Sequence, residues 1–291
     1  MQGTIDGFSY GAVTPVAAFL MACLGAALGL RCTTRSLRTE RSFKAGWLAL
    51  GATSIGSGIW TMHFIAMMGF SVEEAPIGYD KPITFASLAV AIVMVGVGIF
   101  LVGYRGATPM ALVTGGTITG LGVATMHYLG MAGMRLDGQF EYDTITVTLS
   151  VVIAVVASTA ALWAAVSIHG FLPSLGAAVV MGVAVSGMHY TGMAALRVHL
   201  HPATITGTTA GETPTGLLVP MLIGPACFLL LAGVVVMFDP LVVMGTPDWG
   251  DAPAGRALGI PAQRQIPRFG THADPASFHS QRRDPVRHHD R

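Results

Sequence analysis

The chain has 291 residues, of which 52% are hydrophobic and 11% charged, with a net charge of +1 and a mean hydropathy of +0.63. Soluble globular domains carry about a quarter charged residues, so the composition excludes an ordinary soluble domain and marks a multi-pass membrane protein. The net charge says little about partners, because the charges are segregated by loop, and nothing in the sequence resembles a nucleic-acid surface. The three cysteines, Cys23, Cys32 and Cys227, have no paired spacing and signal neither a disulfide framework nor a Cys-x-x-Cys metal site.

Taken in order, the apolar stretches long enough to cross a bilayer, about 20 residues each, number seven. They run from Gly11 to Leu30, Ala45 to Phe70, Ile83 to Tyr104, Met110 to Met134, Thr144 to Ile168, Leu172 to Leu196 and Leu217 to Phe238. The first lacks a basic leader and is expected to stay in the bilayer rather than be cleaved. The predicted fold class is therefore all-α, a polytopic bundle of seven transmembrane helices. Residues 1–240 form the membrane domain. Residues 241–291, rich in Pro, Arg and His, are expected to be a disordered tail. Its histidines, His272, His279, His288 and His289, are read as solvated first and weak metal binders second, and His199 and His201 as solvated first and metal-capturing second.

Loop charges alternate. The first loop holds Arg31, Arg35, Arg38, Arg41 and Lys44 against Glu40, and the third holds Arg105. The second holds Glu73, Glu74 and Asp80 with only Lys81, the fourth Asp137, Glu141 and Asp143 with Arg135, and the sixth is nearly neutral with Arg197 and Glu212. Positively charged loops stay in the cytoplasm. The expected topology is N-terminus outside and C-terminus inside, in a bacterial inner membrane.

One phrase is written three times, near the C-terminal ends of the second, fourth and sixth spans: Met62-His63-Phe64-Ile65-Ala66-Met67, Met126-His127-Tyr128-Leu129-Gly130-Met131 and Met188-His189-Tyr190-Thr191-Gly192-Met193. The histidines are 64 and 62 residues apart, which predicts three helical hairpins, each with the motif on its second helix, plus a seventh helix. Small residues on these helices (Gly56, Ser57 and Gly58; Gly120, Gly122 and Ala124; Gly182, Ala184, Ser186 and Gly187) predict close helix approach.

A lone histidine or a methionine stripe in an apolar helix is usually packing. Three copies at one depth predict a joint site, because ionisable groups inside a membrane face the bundle interior and mark function. Residues four apart share a helix face, so each His is paired with the Met four residues on. The predicted metal ligands are His63, Met67, His127, Met131, His189 and Met193, with Met62, Met126 and Met188 ranked second. Thioether and imidazole donors favour Cu(I), and the first six spans hold no carboxylate for a harder ion. Nothing in the sequence resembles a nucleophile–base pair or a phosphate-binding loop, so no enzyme is expected. Haem ligation by two of the histidines, metal transport and a metal-free structural scaffold stand as alternatives.

The motif resembles that of the MHYT-domain family of bacterial membrane sensors, and the resemblance covers the whole membrane part, Phe8 to Phe238. It implies copper held by the motif Met and His residues and sensing of a diatomic gas: oxygen, carbon monoxide or nitric oxide. Family members commonly carry a cytoplasmic cyclic-di-GMP or histidine-kinase output domain. The short tail here implies a separate cytoplasmic signalling partner instead. The first copy departs from the pattern in having Phe64 where the others have Tyr128 and Tyr190.

Overall fold

In a computed structural model, described for residues 3–7, 9–39, 41–73, 75–200 and 214–239, the chain forms seven helices: α1 (Val13–Leu37), α2 (Arg41–Met68), α3 (Lys81–Arg105), α4 (Pro109–Ala132), α5 (Thr144–Ser167), α6 (Phe171–Ala194) and α7 (Pro214–Met237). Each of the seven expected spans overlaps one of them. The expected tail, with its histidines, and His201 lie outside the described residues.

Six helices are long and apolar enough to cross a membrane: α1, α3, α4, α5, α6 and the Leu218–Met237 part of α7. The exception, α2, is built differently because it sits inside. It packs against α1, α3 and α7. Of its residues 51–64 all but Thr53 are buried, so it has little need of lipid-facing hydrophobes and carries Gly51, Ser54, Gly56, Ser57, Gly58 and Thr61 instead. On the other helices Leu20, Val93, Val97, Val113, Leu149, Val156 and Leu230 are exposed, an apolar outer belt suited to lipid.

The helices form a closed ring. Each packs on its sequence neighbour, and α6 returns to α1, while α7 lies against α2 and α1. Glycines set the spacing. A Cβ at Gly58 would stand 2.7 Å from the Gly25 Cα on α1, and one at Gly120 would stand 2.5 Å from the Val155 Cα on α5. Gly56, Gly122 and Gly182 face α3, α3 and α1 with equally little room, whereas Gly187 faces open space and serves no helix contact.

At the motif end the sequence reading overruns each motif helix by two residues. There the chain leaves the helix and turns into strands: β1 (Ile5–Asp6), β2 (Ser71–Val72), β3 (Gly78–Tyr79), β4 (Met134–Arg135), β5 (Gly138–Tyr142) and β6 (Leu196–Leu200). They pair antiparallel as β1 with β2, β3 with β4 and β5 with β6, with registers Ile5↔Val72, Tyr79↔Met134 and Tyr142↔Leu196. Each pair joins the strand before a hairpin's first helix to the strand after its second. The repeat is thus β-α-α-β, and its buried side chains Val72, Tyr79, Met134, Leu196 and Val198 cover the motif end of the bundle. Their hydropathy continues that of the helices, which is why hydropathy alone extends the spans. Asp80, Thr108 and Asp143 cap α3, α4 and α5 by accepting the backbone N–H of Ile83, Ala111 and Thr146.

At the opposite end α1 runs seven residues past its apolar stretch. Its arginines lie along aromatic faces, a way for long cationic side chains to leave an apolar surface. Arg31 sits 5.0 Å from the Phe171 ring and Arg35 5.4 Å from Trp47, while Lys44 of α2 lies 5.1 Å from Tyr104. Arg35 also pairs with the buried Asp239, just past α7, at 2.6 Å.

Candidate functional site

The three motif helices α2, α4 and α6 each point their histidine at the middle of the ring. His63, His127 and His189 are at most 1% exposed. Their Nδ1 atoms form a triangle: His63 to His189 3.0 Å, His63 to His127 3.2 Å and His127 to His189 3.3 Å. The rings meet nearly at right angles, at 81–89° with centroids 4.9–5.1 Å apart, as three blades around one axis.

This arrangement is awkward for imidazoles alone. Each Nδ1 is either a donor or an acceptor. With three of them in mutual contact, two must share a role, and two lone pairs or two N–H groups then face each other at 3.0–3.3 Å. A cation at the centre removes the conflict, because all three lone pairs can point at it and the protons move to Nε2. The size also fits. Three corners of a tetrahedron with metal–nitrogen bonds of 2.0–2.1 Å are about 3.3 Å apart. The Nε2 atoms of His63 and His127 are buried without a hydrogen-bond partner, so the usual carbonyl or carboxylate behind a metal-bound imidazole is replaced by close packing. None of the seven helices contains Asp or Glu, leaving a neutral donor set.

The aromatic residue after each histidine props it edge-on: Phe64 at 4.6 Å, Tyr128 at 4.8 Å and Tyr190 at 5.0 Å between centroids. Tyr128 also hydrogen-bonds Ser150 of α5 at 2.7 Å. Phe64 is fully buried and packs on Trp60 at 4.7 Å. That apolar surrounding accounts for the missing hydroxyl in the first copy.

The methionines split. Met67 and Met131 are buried and Met193 partly so, one helical turn beyond their histidines towards the strand-covered end. Met193 shares a cavity wall with His189. Met62, Met126 and Met188 are buried in the core, and Met188 lines a second cavity of about 50 Å³ on the other side of the triad. Its walls include Ile59, Val123 and Val185, each four residues before a motif histidine, and Ile55, Thr119 and Met181, each eight before. Sequence reading had no signal for this apolar pocket, because it arises from positions that look like ordinary packing. His199, outside the bundle, pairs with Glu141 across β5 and β6 at 2.8 Å, away from the triad.

Outside the spans, the Asp80 carboxyl is held below its ordinary range by the Arg135 guanidinium at 2.9 Å and by the Ile83 N–H. That of Asp143 is held down by the hydroxyl and N–H of Thr146. Burial pushes the Tyr79 phenol up.

Comparison with known proteins agrees with the repeat. The family model described as "Bacterial signalling protein N terminal repeat", MHYT, matches residues 56–115, 120–178 and 182–241. The bifunctional diguanylate cyclase/cyclic di-GMP phosphodiesterase MucR of Pseudomonas aeruginosa is 39% identical over 66% of this chain and 29% of its own length. The cyclic di-GMP phosphodiesterase NbdA of the same organism is 35% identical over 67% of this chain and 26% of its own. The signaling protein YkoW of Bacillus subtilis is 32% identical over 62% and 23%. The chain thus spans about a quarter of the length of these relatives. No solved structure matches it. Three matched repeats, each opening on a motif helix of a multi-pass membrane bundle, place this chain in the MHYT family of bacterial signalling proteins.

Proposed function

We propose that the chain is a membrane sensor that holds a soft metal ion, copper, on the Nδ1 atoms of His63, His127 and His189. The observation that carries this reading is the Nδ1 triangle with sides of 3.0–3.3 Å. The metal choice rests on the donor set. Imidazoles with thioethers nearby suit Cu(I), and a single positive charge among neutral ligands is easier to bury than a divalent one. Met67, Met131 and Met193 are the further donors in this reading, one turn outward. When bound, the ion supplies an acceptor for the lone pair of a small neutral molecule such as oxygen, carbon monoxide or nitric oxide. The apolar cavity of about 50 Å³ beside the triad is the space for such a molecule, since cavities of this kind stay dry.

Imidazole nitrogens this close leave no room for a porphyrin between them, which weighs against haem. A transporter needs charged or imidazole donors along a path. Inward of the triad the cavity walls are mostly aliphatic, with the thioethers of Met181 and Met188 and the hydroxyls of Thr119 and Ser158 as their polar or soft groups. The membrane part is a sensing module rather than a catalytic one in this proposal. The activities named for MucR and NbdA suggest that its output is control of cyclic di-GMP turnover.

The test is metal content and affinity of the purified chain and of His63→Ala, His127→Ala and His189→Ala. The expected result is one copper per wild-type chain and a fall in affinity of more than about tenfold, at least 1.4 kcal/mol, in every variant. Three variants with wild-type copper would favour the metal-free scaffold instead.

A further inference from the structure

The three histidines are not enclosed alike. His63 lays its Nε2 edge on Gly130 and His127 lays its own on Gly192. A Cβ built on those glycines would stand 2.6 and 2.4 Å from the nitrogens, and both nitrogens are sealed from solvent. The two glycines occupy the fifth position of the motif in the second and third copies, so each histidine is seated on the small residue of the next copy. Continuing round the ring, His189 falls to the first copy, where that residue is Ala66. Here the seal is missing. Ala66 and His189 are two walls of a cavity of about 280 Å³, completed by Ile5, Gly7, Phe70, Tyr190, Met193 and Ala194. Ile5 is exposed, so the cavity reaches the surface beside β1.

We propose that this seam between the first and third repeats is the entrance to the triad, and that what enters is a single soft metal ion, delivered past Met193 to His189. The proposal rests on the metal reading above. His189 is only 1% exposed, so the inner opening admits a bare ion or a molecule of a few atoms. Among the described residues the walls carry no carboxylate, no amine and no guanidinium. They offer nothing to a phosphate, a sugar or a peptide, whereas the Met193 thioether and the His189 imidazole are successive donors for a soft cation. The other two seams are filled by imidazole resting on glycine.

Gly7 supplies the test. A Cβ there would meet nothing within 4 Å, and its backbone is not in the left-handed region, so a large side chain can stand in the cavity mouth without strain. Loading of Cu(I) into the metal-free, full-length protein is followed by stopped flow against a chromophoric chelator. Wild type, Gly7→Trp and Gly187→Trp are compared, the last filling an equally open site on α6 away from the cavity. The expected result is equal final copper in all three, with loading at least tenfold slower in Gly7→Trp alone. Wild-type loading in Gly7→Trp with full copper would overturn the entrance and leave the metal reading intact. Absence of copper in wild type would overturn both. Gly7→Leu, a smaller plug on the same backbone, repeats the measurement if the tryptophan variant does not fold.

Discussion

The residue that decides how the triad is built is the small one, three positions after each histidine. In a helix this position lies nearly one turn on, and its own histidine does not touch it. The imidazole that needs it comes from the preceding repeat. Gly130 and Gly192 leave 2.6 and 2.4 Å between a would-be Cβ and the Nε2 they receive, far inside van der Waals contact, so a methyl group must push the ring along its axis. We expect Gly130→Ala and Gly192→Ala each to destabilise the bundle by about 1–3 kcal/mol, the usual cost of overpacking, and to weaken metal binding by spreading the Nδ1 triangle. Ala66→Gly, at the seam, should leave metal binding nearly unchanged and lower stability by about 1 kcal/mol, the ordinary cost of a helical glycine. Thermal melting in detergent and copper affinity check all three. The histidines and methionines were legible in the sequence because their repetition stands out against an apolar background. The glycine seats were visible only as small residues, since nothing in a linear pattern says which repeat's ring rests on which repeat's glycine.

At the scale of elements, hydropathy and loop charge recover the seven helices, and they fail at the same place in each repeat. Phe70, Met134 and Leu196 read as the last residues of spans, but they follow the ends of α2, α4 and α6 and lead into or begin strands that cover the triad. A buried strand of two to five residues has no periodicity long enough to be distinguished from a helix end. The caps at this end give a pH prediction. Asp80 is held below its ordinary value by Arg135 first and the Ile83 N–H second, and Asp143 by Thr146. A depressed carboxylate contributes stability that is present above its unfolded value, here 3.8, and is lost as pH falls through the folded value. The melting temperature should therefore be insensitive to these groups from neutral pH down to about pH 5, then drop on further acidification. Asp80→Asn with Asp143→Asn should lower it at neutral pH and flatten the acid drop. A double variant with the wild-type acid profile would show that other groups set it.

At the scale of the whole molecule, the structure ties the triad to one face. β1, at the N-terminal side, pairs with β2 beyond the first motif helix, so the chain begins at the motif end. α7 finishes at the other end, where Asp239 meets Arg35 beyond the apolar part of α1. The two ends differ in their balance of charge. Around the motif end Asp6, Glu73, Asp80, Asp137, Glu141 and Asp143 outnumber Lys81, Arg135 and Arg197; at the far end Arg31, Arg35, Arg38, Lys44 and Arg105 outnumber Asp239. Basic loops are retained in the cytoplasm, and the balance of charge at the two ends gives one orientation. We therefore predict that the triad and its entrance lie at the periplasmic face, with Arg291 in the cytoplasm. A fluorescent reporter that folds only in the cytoplasm should be active when fused after Arg291, and alkaline phosphatase fused there should be silent. A cysteine at Gly7, in a chain with Cys23, Cys32 and Cys227 replaced by Ser, should react with a membrane-impermeant maleimide in intact cells. An active phosphatase or an unreactive Gly7→Cys would reverse the orientation. The orientation has a chemical consequence, because it decides where the ion comes from. With the Ala66–His189 seam facing outward, the metal proposed for the triad would come from outside the cytoplasm, and the inner cavity, lined mainly by aliphatic side chains with Met181, Met188, Thr119 and Ser158, lies on the triad's cytoplasmic side.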